Sequence, residues 1–288
     1  MKRLGALLLV LTLAAAPQWA AARAPAPDMA ERAVVEIRRA INEERLLDAA
    51  RMLDEASLGG MKDPRLNLLG GELNLARGRY NAALADYQAA EQTASTHAQA
   101  LEGQGLALAL AGRSGEAVPV LQRAVAEDPN AWRAWNALGA EYDGLAKWDE
   151  ADDAYAHAID ASGGAAQALN NRGYSRLLRH QRDAAVADFV AALAKRPDLA
   201  EARTNLRLAL AMGGDYRRAT AGGVNAETAA NLNNAGFAAG MRGDYAAAED
   251  LLEQAMATKG EYYDRASANL EIVRALAARA GDDGHVVP

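Results

Sequence analysis

The chain has 288 residues, a net charge of −7 and no cysteine, so structural disulfides and thiol chemistry are excluded. An acidic balance without a polybasic segment argues against nucleic acid and against an anionic membrane surface as partner. Only 5% of residues are aromatic, and alanine and leucine dominate; no stretch alternates as a half-buried strand would, so the chain reads as all-α.

The first elements belong to targeting rather than to the fold. Lys2 and Arg3 precede an apolar run from Leu4 to Ala16, and Ala20-Ala21-Ala22 supplies small residues for cleavage. Residues 1–22 are expected to be a secretory signal peptide, with the protein then periplasmic and not inserted in the membrane. A flexible lead over residues 23–28 follows.

Helices are then expected in pairs, 29–42 with 46–57, 64–77 with 80–93, and 98–111 with 114–127. The middle pairs are 131–145 with 148–160 and 165–179 with 182–195. The last are 199–212 with a short 215–221, and 226–241 with 244–258. A final helix near 262–280 covers the end of the stack, and residues 281–288 form a disordered tail. Length alone allows one domain or two, but no linker interrupts residues 29–280, which read as a single solenoid domain.

The pairs are identified by an alanine ladder: Ala49, Ala83, Ala117, Ala151, Ala185 and Ala219 stand 34 residues apart. Four residues after these alanines come Leu53, Tyr87, Leu121, Tyr155 and Phe189. Glycine recurs twelve residues before at Gly71, Gly105, Gly139 and Gly173, and five before at Gly78, Gly112 and Gly214. A strict period of this length marks a helix–turn–helix solenoid, in which small residues let helices approach and large ones fill the gaps. The register breaks once, because the next equivalent alanine, Ala248, is 29 residues beyond Ala219. Ala221-Gly222-Gly223 falls where a helix should continue, and paired glycines disfavour one. Arg207 takes the glycine position there and should loosen its helix pair.

Trp135, Leu138, Gly139, Tyr142, Ala151, Tyr155 and Ala158 resemble the tetratricopeptide (TPR) repeat. The resemblance implies an all-α, right-handed superhelix of about seven helix pairs plus a capping helix. It also implies a concave groove lined by the first helix of each pair, where protein partners are held. In this sequence the expected groove residues are Arg133, Asn136, Gln167, Asn170, Asn171, Tyr174, Asn205, Asn233, Asn234 and Phe237. Asparagine is a poor helix-interior residue. Its recurrence fits either pairing with the backbone of an extended peptide or bonding between neighbouring helices. Leu68, Leu69, Glu72, Leu106 and Ala109 make the N-terminal part of the groove more apolar, which suits an amphipathic partner helix or a fold-back of the N-terminal helix.

The four histidines are scattered and show no metal spacing. Neither a nucleophile motif nor a phosphate loop is present, so no catalytic role and no cofactor is expected. Leu232 to Phe237, Arg242-Gly243-Asp244-Tyr245, Tyr262 to Ala266 and Asn269-Leu270 resemble the TPR protein of the bacterial tight-adherence (Flp-type) pilus assembly system. That resemblance implies a non-catalytic envelope scaffold assisting pilus or secretion-system assembly, associated with a membrane complex. The alternative is an adaptor or regulatory appendage of an envelope polysaccharide or cell-wall enzyme.

Overall fold

The structure is a computed structural model that describes residues 27–222, 225–259 and 263–283. Among these residues it holds fifteen helices and no strand. They pair as α1 (Pro27–Asn42) with α2 (Leu46–Leu58), α3 (Arg65–Ala76) with α4 (Tyr80–Glu91), and α5 (His97–Leu110) with α6 (Ser114–Glu127). Next come α7 (Trp132–Gly144) with α8 (Trp148–Ser162) and α9 (Ala166–Leu178) with α10 (Arg182–Lys195). Then follow α11 (Ala200–Met212) with α12 (Tyr216–Thr220), α13 (Asn225–Met241) with α14 (Tyr245–Lys259), and a last helix α15 (Asp264–Asp283). Pro129 and Pro197 each lie two residues beyond the end of a second helix, where a missing N–H does no harm.

Two of the expected boundaries move. Pro27 and Asp28, expected in the lead, open α1, and residues 281–283, expected in the tail, extend α15. Proline suits the first turn of a helix, where its missing N–H is not needed, and helix ends commonly differ from a composition boundary by a residue or two. The signal segment and the remainder of the lead and tail lie outside the described residues.

The alanine ladder is the centre of the stack. Ala49, Ala83, Ala117, Ala151, Ala185, Ala219 and Ala248 are all exposed by no more than 1%. The bulky residues packed between the helices meet glycine. A Cβ built on Gly71 would lie 2.5 Å from the Tyr87 ring, on Gly139 2.6 Å from Tyr155, and on Gly173 2.7 Å from Phe189. Gly105 faces Leu121 at 2.4 Å and Gly236 faces Leu252 at 2.7 Å in the same way. These distances leave no room for a methyl group, so each helix pair depends on a hydrogen at that position.

The turn inside each pair is equally regular. The turn position takes left-handed backbone in every repeat, at Glu44, Gly78, Gly112, Ala146, His180, Gly214 and Gly243. Three of the seven are not glycine, so the solenoid imposes a conformation that those side chains would not choose.

The backbones of odd-numbered helices approach one another along the whole stack, whereas those of the even-numbered helices do not; α4 and α6 meet only through the long side chains of Glu91 and Arg123, at 3.0 Å. The odd layer is therefore the inner, concave one and the even layer splays outward. At the register break, α12 is only five residues long, followed by left-handed Gly222 at φ 74°. Arg207 does not loosen this pair as the sequence suggested. Its side chain is 15% exposed, and it donates to the Ala221 carbonyl at 3.1 Å and to Glu227 Oε1 at 2.6 Å. The guanidinium thus ties the end of α12 to the start of α13.

Substituting Gly139 with alanine forces a methyl group into the Tyr155 ring and is expected to cost roughly 1–3 kcal/mol in urea unfolding. Gly115→Ala, with nothing within 4 Å of its added Cβ, is expected to be neutral or stabilising by about 0.5–1 kcal/mol. Equal effects at the two sites would refute the close-approach account.

Candidate functional site

The concave face is built from one side of each odd helix, so residues one and two places after the TPR tryptophan position recur at each step along it. They form hydrogen-bonded rungs between repeats. Asn171 Nδ2 donates to Asn136 Oδ1 at 3.1 Å, and Asn205 Nδ2 donates to Asn170 Oδ1 at 3.0 Å. Asn170 Nδ2 donates to Asn171 Oδ1 at 3.2 Å, joining the two rungs across α7, α9 and α11. The rule is constant: the second residue of one repeat donates to the first residue of the repeat before it. A similar rung, one residue out of register, closes the C-terminal end, where Asn269 Nδ2 donates to Asn233 Oδ1 at 2.9 Å and Asn233 Nδ2 to Asn234 Oδ1 at 3.2 Å.

The ladder lacks one rung, and it is lost at the register break. There Thr204 stands in the accepting place, and Asn234 makes no bond to it. Thr204, Arg207, Asn231 and Asn234 line a small crevice between α11 and α13. The Asn231 side-chain nitrogen is buried there without a partner among the described residues.

The asparagines therefore hold helices together. Asn170 is 8% exposed and Asn233 only 2%, too buried to be read principally by a partner. Asn136, Asn171 and Asn205 are half-buried, while Asn234 is exposed. The side chains that do face outward are Gln167, Tyr174 and Phe237, the last two 46% and 38% exposed. Tyr174 borders a shallow depression with Asn170, Asn171, Thr204 and Asn205. Met241, one helical turn beyond Phe237, is 64% exposed and adds to the apolar surface there.

Charged networks lie behind this part of the groove. Asp188 is 4% exposed and takes Arg172 and Arg176 guanidiniums, each at 2.7 Å. Arg179 grips Asp152 through two bonds of 2.7 and 2.6 Å, and this pairing holds the Asp152 carboxyl below its usual range. Ser175 and Tyr155 both donate to Asp143, at 2.7 and 2.9 Å. These groups are mutually satisfied and leave little for a ligand.

Of the two readings left open for the N-terminal part of the groove, a partner helix or a fold-back of the N-terminal helix, α1 packing over Leu69 matches the second. Leu69 is 0% exposed because α1 packs along α3 and Val34 and Ile37 close over it, while Leu68, 2% exposed, is buried in a separate cluster with Ala83, Tyr87 and Ala100 of α4 and α5. Leu106 and Ala109 are half-buried against the core. Glu72 is paired with Arg38 at 3.3 Å. What opens here instead is a cleft of about 400 Å³ between α1, α3, α5 and the start of α7. Arg133, the remaining expected groove residue, stands at its rim and lies over its neighbour Trp132 at 5.0 Å. The cleft brings together Glu72, Tyr87, Glu102 and Arg133. Burial pushes the Glu102 carboxyl up, against the opposing pull of Arg133. Tyr87 was legible only as a packing residue, since it sits on the ladder of bulky positions.

Among the described residues no group of three or more histidines and carboxylates is placed to hold a metal ion. His157 stacks on Trp135 with ring centroids 4.4 Å apart. No helix of the described residues is long and apolar enough to cross a membrane.

Replacing Asn170 with alanine removes two hydrogen bonds and is expected to cost roughly 1–2 kcal/mol in chemical unfolding. Asn234→Ala, at an exposed side chain, should cost less than about half as much. A stability unchanged by Asn170→Ala would return these amides to partner binding.

No family model and no curated protein matches the sequence. Solved structures do match the fold. A tetratricopeptide repeat protein from Parabacteroides merdae aligns over 86% of this chain and 99% of its own, at 15% identity and a TM-score of 0.52. PilW, described as a widely conserved type IV pilus biogenesis factor, aligns over 86% of this chain and 99% of its own, at 15% identity and a TM-score of 0.57. The Cut9–Hcn1 hetero-tetramer of APC/C reaches a TM-score of 0.60 at 14% identity, over 83% of this chain and 48% of the other, so this chain spans about half that length. The chain has the fold of the tetratricopeptide repeat proteins, an all-α solenoid of helix pairs.

Proposed function

We propose that this protein is a non-catalytic scaffold that holds a segment of another protein against its concave face. The observation that carries the reading is the exposure of Tyr174, Phe237 and Met241 on or beside a face whose ladder asparagines are bonded within the stack. Large apolar side chains left in water beside a curved, rigid surface suit an extended or helical partner segment. A scaffold whose ladder amides are already bonded is also preorganised, so binding does not spend free energy on ordering them.

The finer reading places the protein in the bacterial cell envelope. Residues 1–22 then act as a signal peptide that directs it across the inner membrane, and its partners belong to a pilus or secretion-system assembly. Support comes from the charge and apolar pattern of that segment, from the resemblance of the last third to the tight-adherence TPR protein, and from the shared fold of PilW.

Affinity capture from envelope extracts, with the wild-type chain and with Tyr174→Ala/Phe237→Ala, tests both levels. Capture of pilus or secretion-platform subunits is expected, and the double variant should retain less than about a tenth of it, a loss near 1.4 kcal/mol. Its unfolding free energy should shift by no more than about 0.5 kcal/mol for each exposed site. Capture of a polysaccharide synthase or cell-wall hydrolase whose activity changes on adding this protein would replace the pilus reading. Undiminished capture by the double variant would move the site elsewhere.

A further inference from the structure

The N-terminal cleft contains two polar groups with no side-chain partner in the solenoid. The first is the Tyr87 hydroxyl. Tyr87 is 3% exposed, with its ring pinned between Gly71 and Gly103, whose added Cβ atoms would lie 2.5 and 2.4 Å away. Two repeats later Tyr155 occupies the same place, and its hydroxyl donates to Asp143 at 2.9 Å. Two repeats before Asp143 the chain has Leu75, so the Tyr87 hydroxyl has no hydrogen-bond partner among the described residues and its side chain borders the cleft. The second group is Glu102, which lines the same cleft, accepts from the backbone N–H groups of Arg133 and Ala134 at the start of α7, and makes no salt bridge to any described arginine or lysine. Of the two neighbouring cations, Arg38 pairs with Glu72, and Arg133, which lies over Trp132, acts on the Glu102 charge without closing a salt bridge to it. Leu75 and Leu106 give the cleft apolar walls. Its volume of about 400 Å³ falls in the range of roughly 300–1,000 Å³ typical of small-ligand sites.

We propose that this cleft receives a basic side chain, lysine or arginine, from a segment held in the groove. Its cationic head meets Glu102 and the Tyr87 oxygen, and its alkyl stem lies along Leu75 and Leu106. A half-buried carboxylate without a paired cation gains most from a ligand that brings one. The phenol oxygen supplies a second acceptor, and long basic side chains bury their stems along apolar surface. The assignment rests on the groove-binding reading above and adds to it a position and a ligand chemistry.

The test uses the full chain and four blocked amino acids followed by NMR: the Nα-acetyl methylamides of lysine, arginine, norleucine and glutamate. The lysine or arginine probe is expected to shift the amide resonances of Leu75 and Gly103 saturably, and the norleucine and glutamate probes are not. Glu102→Gln should weaken that binding roughly tenfold, the scale of one charge-assisted contact. Tyr87→Phe keeps the ring against both glycines. It should weaken binding several-fold without lowering Tm, whereas Tyr155→Phe, which loses its bond to Asp143, should lower Tm. The proposal is overturned if norleucine matches lysine, if Glu102→Gln binds as wild type does, or if no probe shifts those resonances at its highest soluble concentration. A protein partner whose capture depends on Tyr174 and Phe237 but not on Glu102 would overturn this site and leave the scaffold reading intact. Lysine binding without any captured partner would do the reverse.

Discussion

The structure depends on a hydrogen atom where almost any other residue would place a carbon. In five of the helix pairs a glycine backbone lies against the ring or branched end of a residue sixteen positions later, with 2.4 to 2.7 Å between that side chain and where a Cβ would be. The fit sets the separation between the two helices of a pair, and the buried alanines extend the same tolerance into the neighbouring repeat. Interiors packed this tightly cannot absorb a methylene without moving backbone. Because the fit recurs, the whole stack inherits one spacing and the concave face inherits a regular register of side chains.

That constraint explains why the architecture could be read from the sequence. Packing positions are fixed by residue size, and size is visible in a single chain. The 34-residue period therefore located the helices, the turn positions and the short α12. The asparagines were harder to interpret. Their recurrence on one helix face was visible, but whether an amide meets a neighbour or faces outward depends on the offset between adjacent helices, here by pairs 35 residues apart. The N-terminal leucines left two readings open for a similar reason: an apolar residue at a groove position suits a partner helix or the chain's own, and only the path of α1 over Leu69 decides between them. Tyr87 was hidden by its own regularity. Only comparison with Tyr155 and Asp143 in the folded state shows that its hydroxyl was left over.

The register break shows what happens where the rule lapses. Arg207 replaces the usual glycine, and the chain has shortened the opposing helix to five residues. The arginine then takes over by hydrogen bonding what close packing does elsewhere, holding the Ala221 carbonyl and Glu227 together. The cost appears on the concave side, where the asparagine ladder loses a rung and the Asn231 side-chain nitrogen is left without a partner among the described residues. One deletion thus affects both layers, although the odd helices remain in contact across it.

The wide backbone separation of the even helices, bridged between α4 and α6 only by the Glu91–Arg123 ion pair, has a mechanical consequence. A layer in continuous contact resists compression, while a layer of spaced rods can open or close its gaps with little change in contact area. Such a solenoid behaves like a coil spring with a stiff inner edge, bending by fanning its outer rods about that edge. Its compliance is greatest beside α12, where the outer rod is hardly more than one turn long. A load pulling the two ends apart would be taken up there first, which would let the halves of the groove change their mutual angle while each keeps its own side-chain spacing.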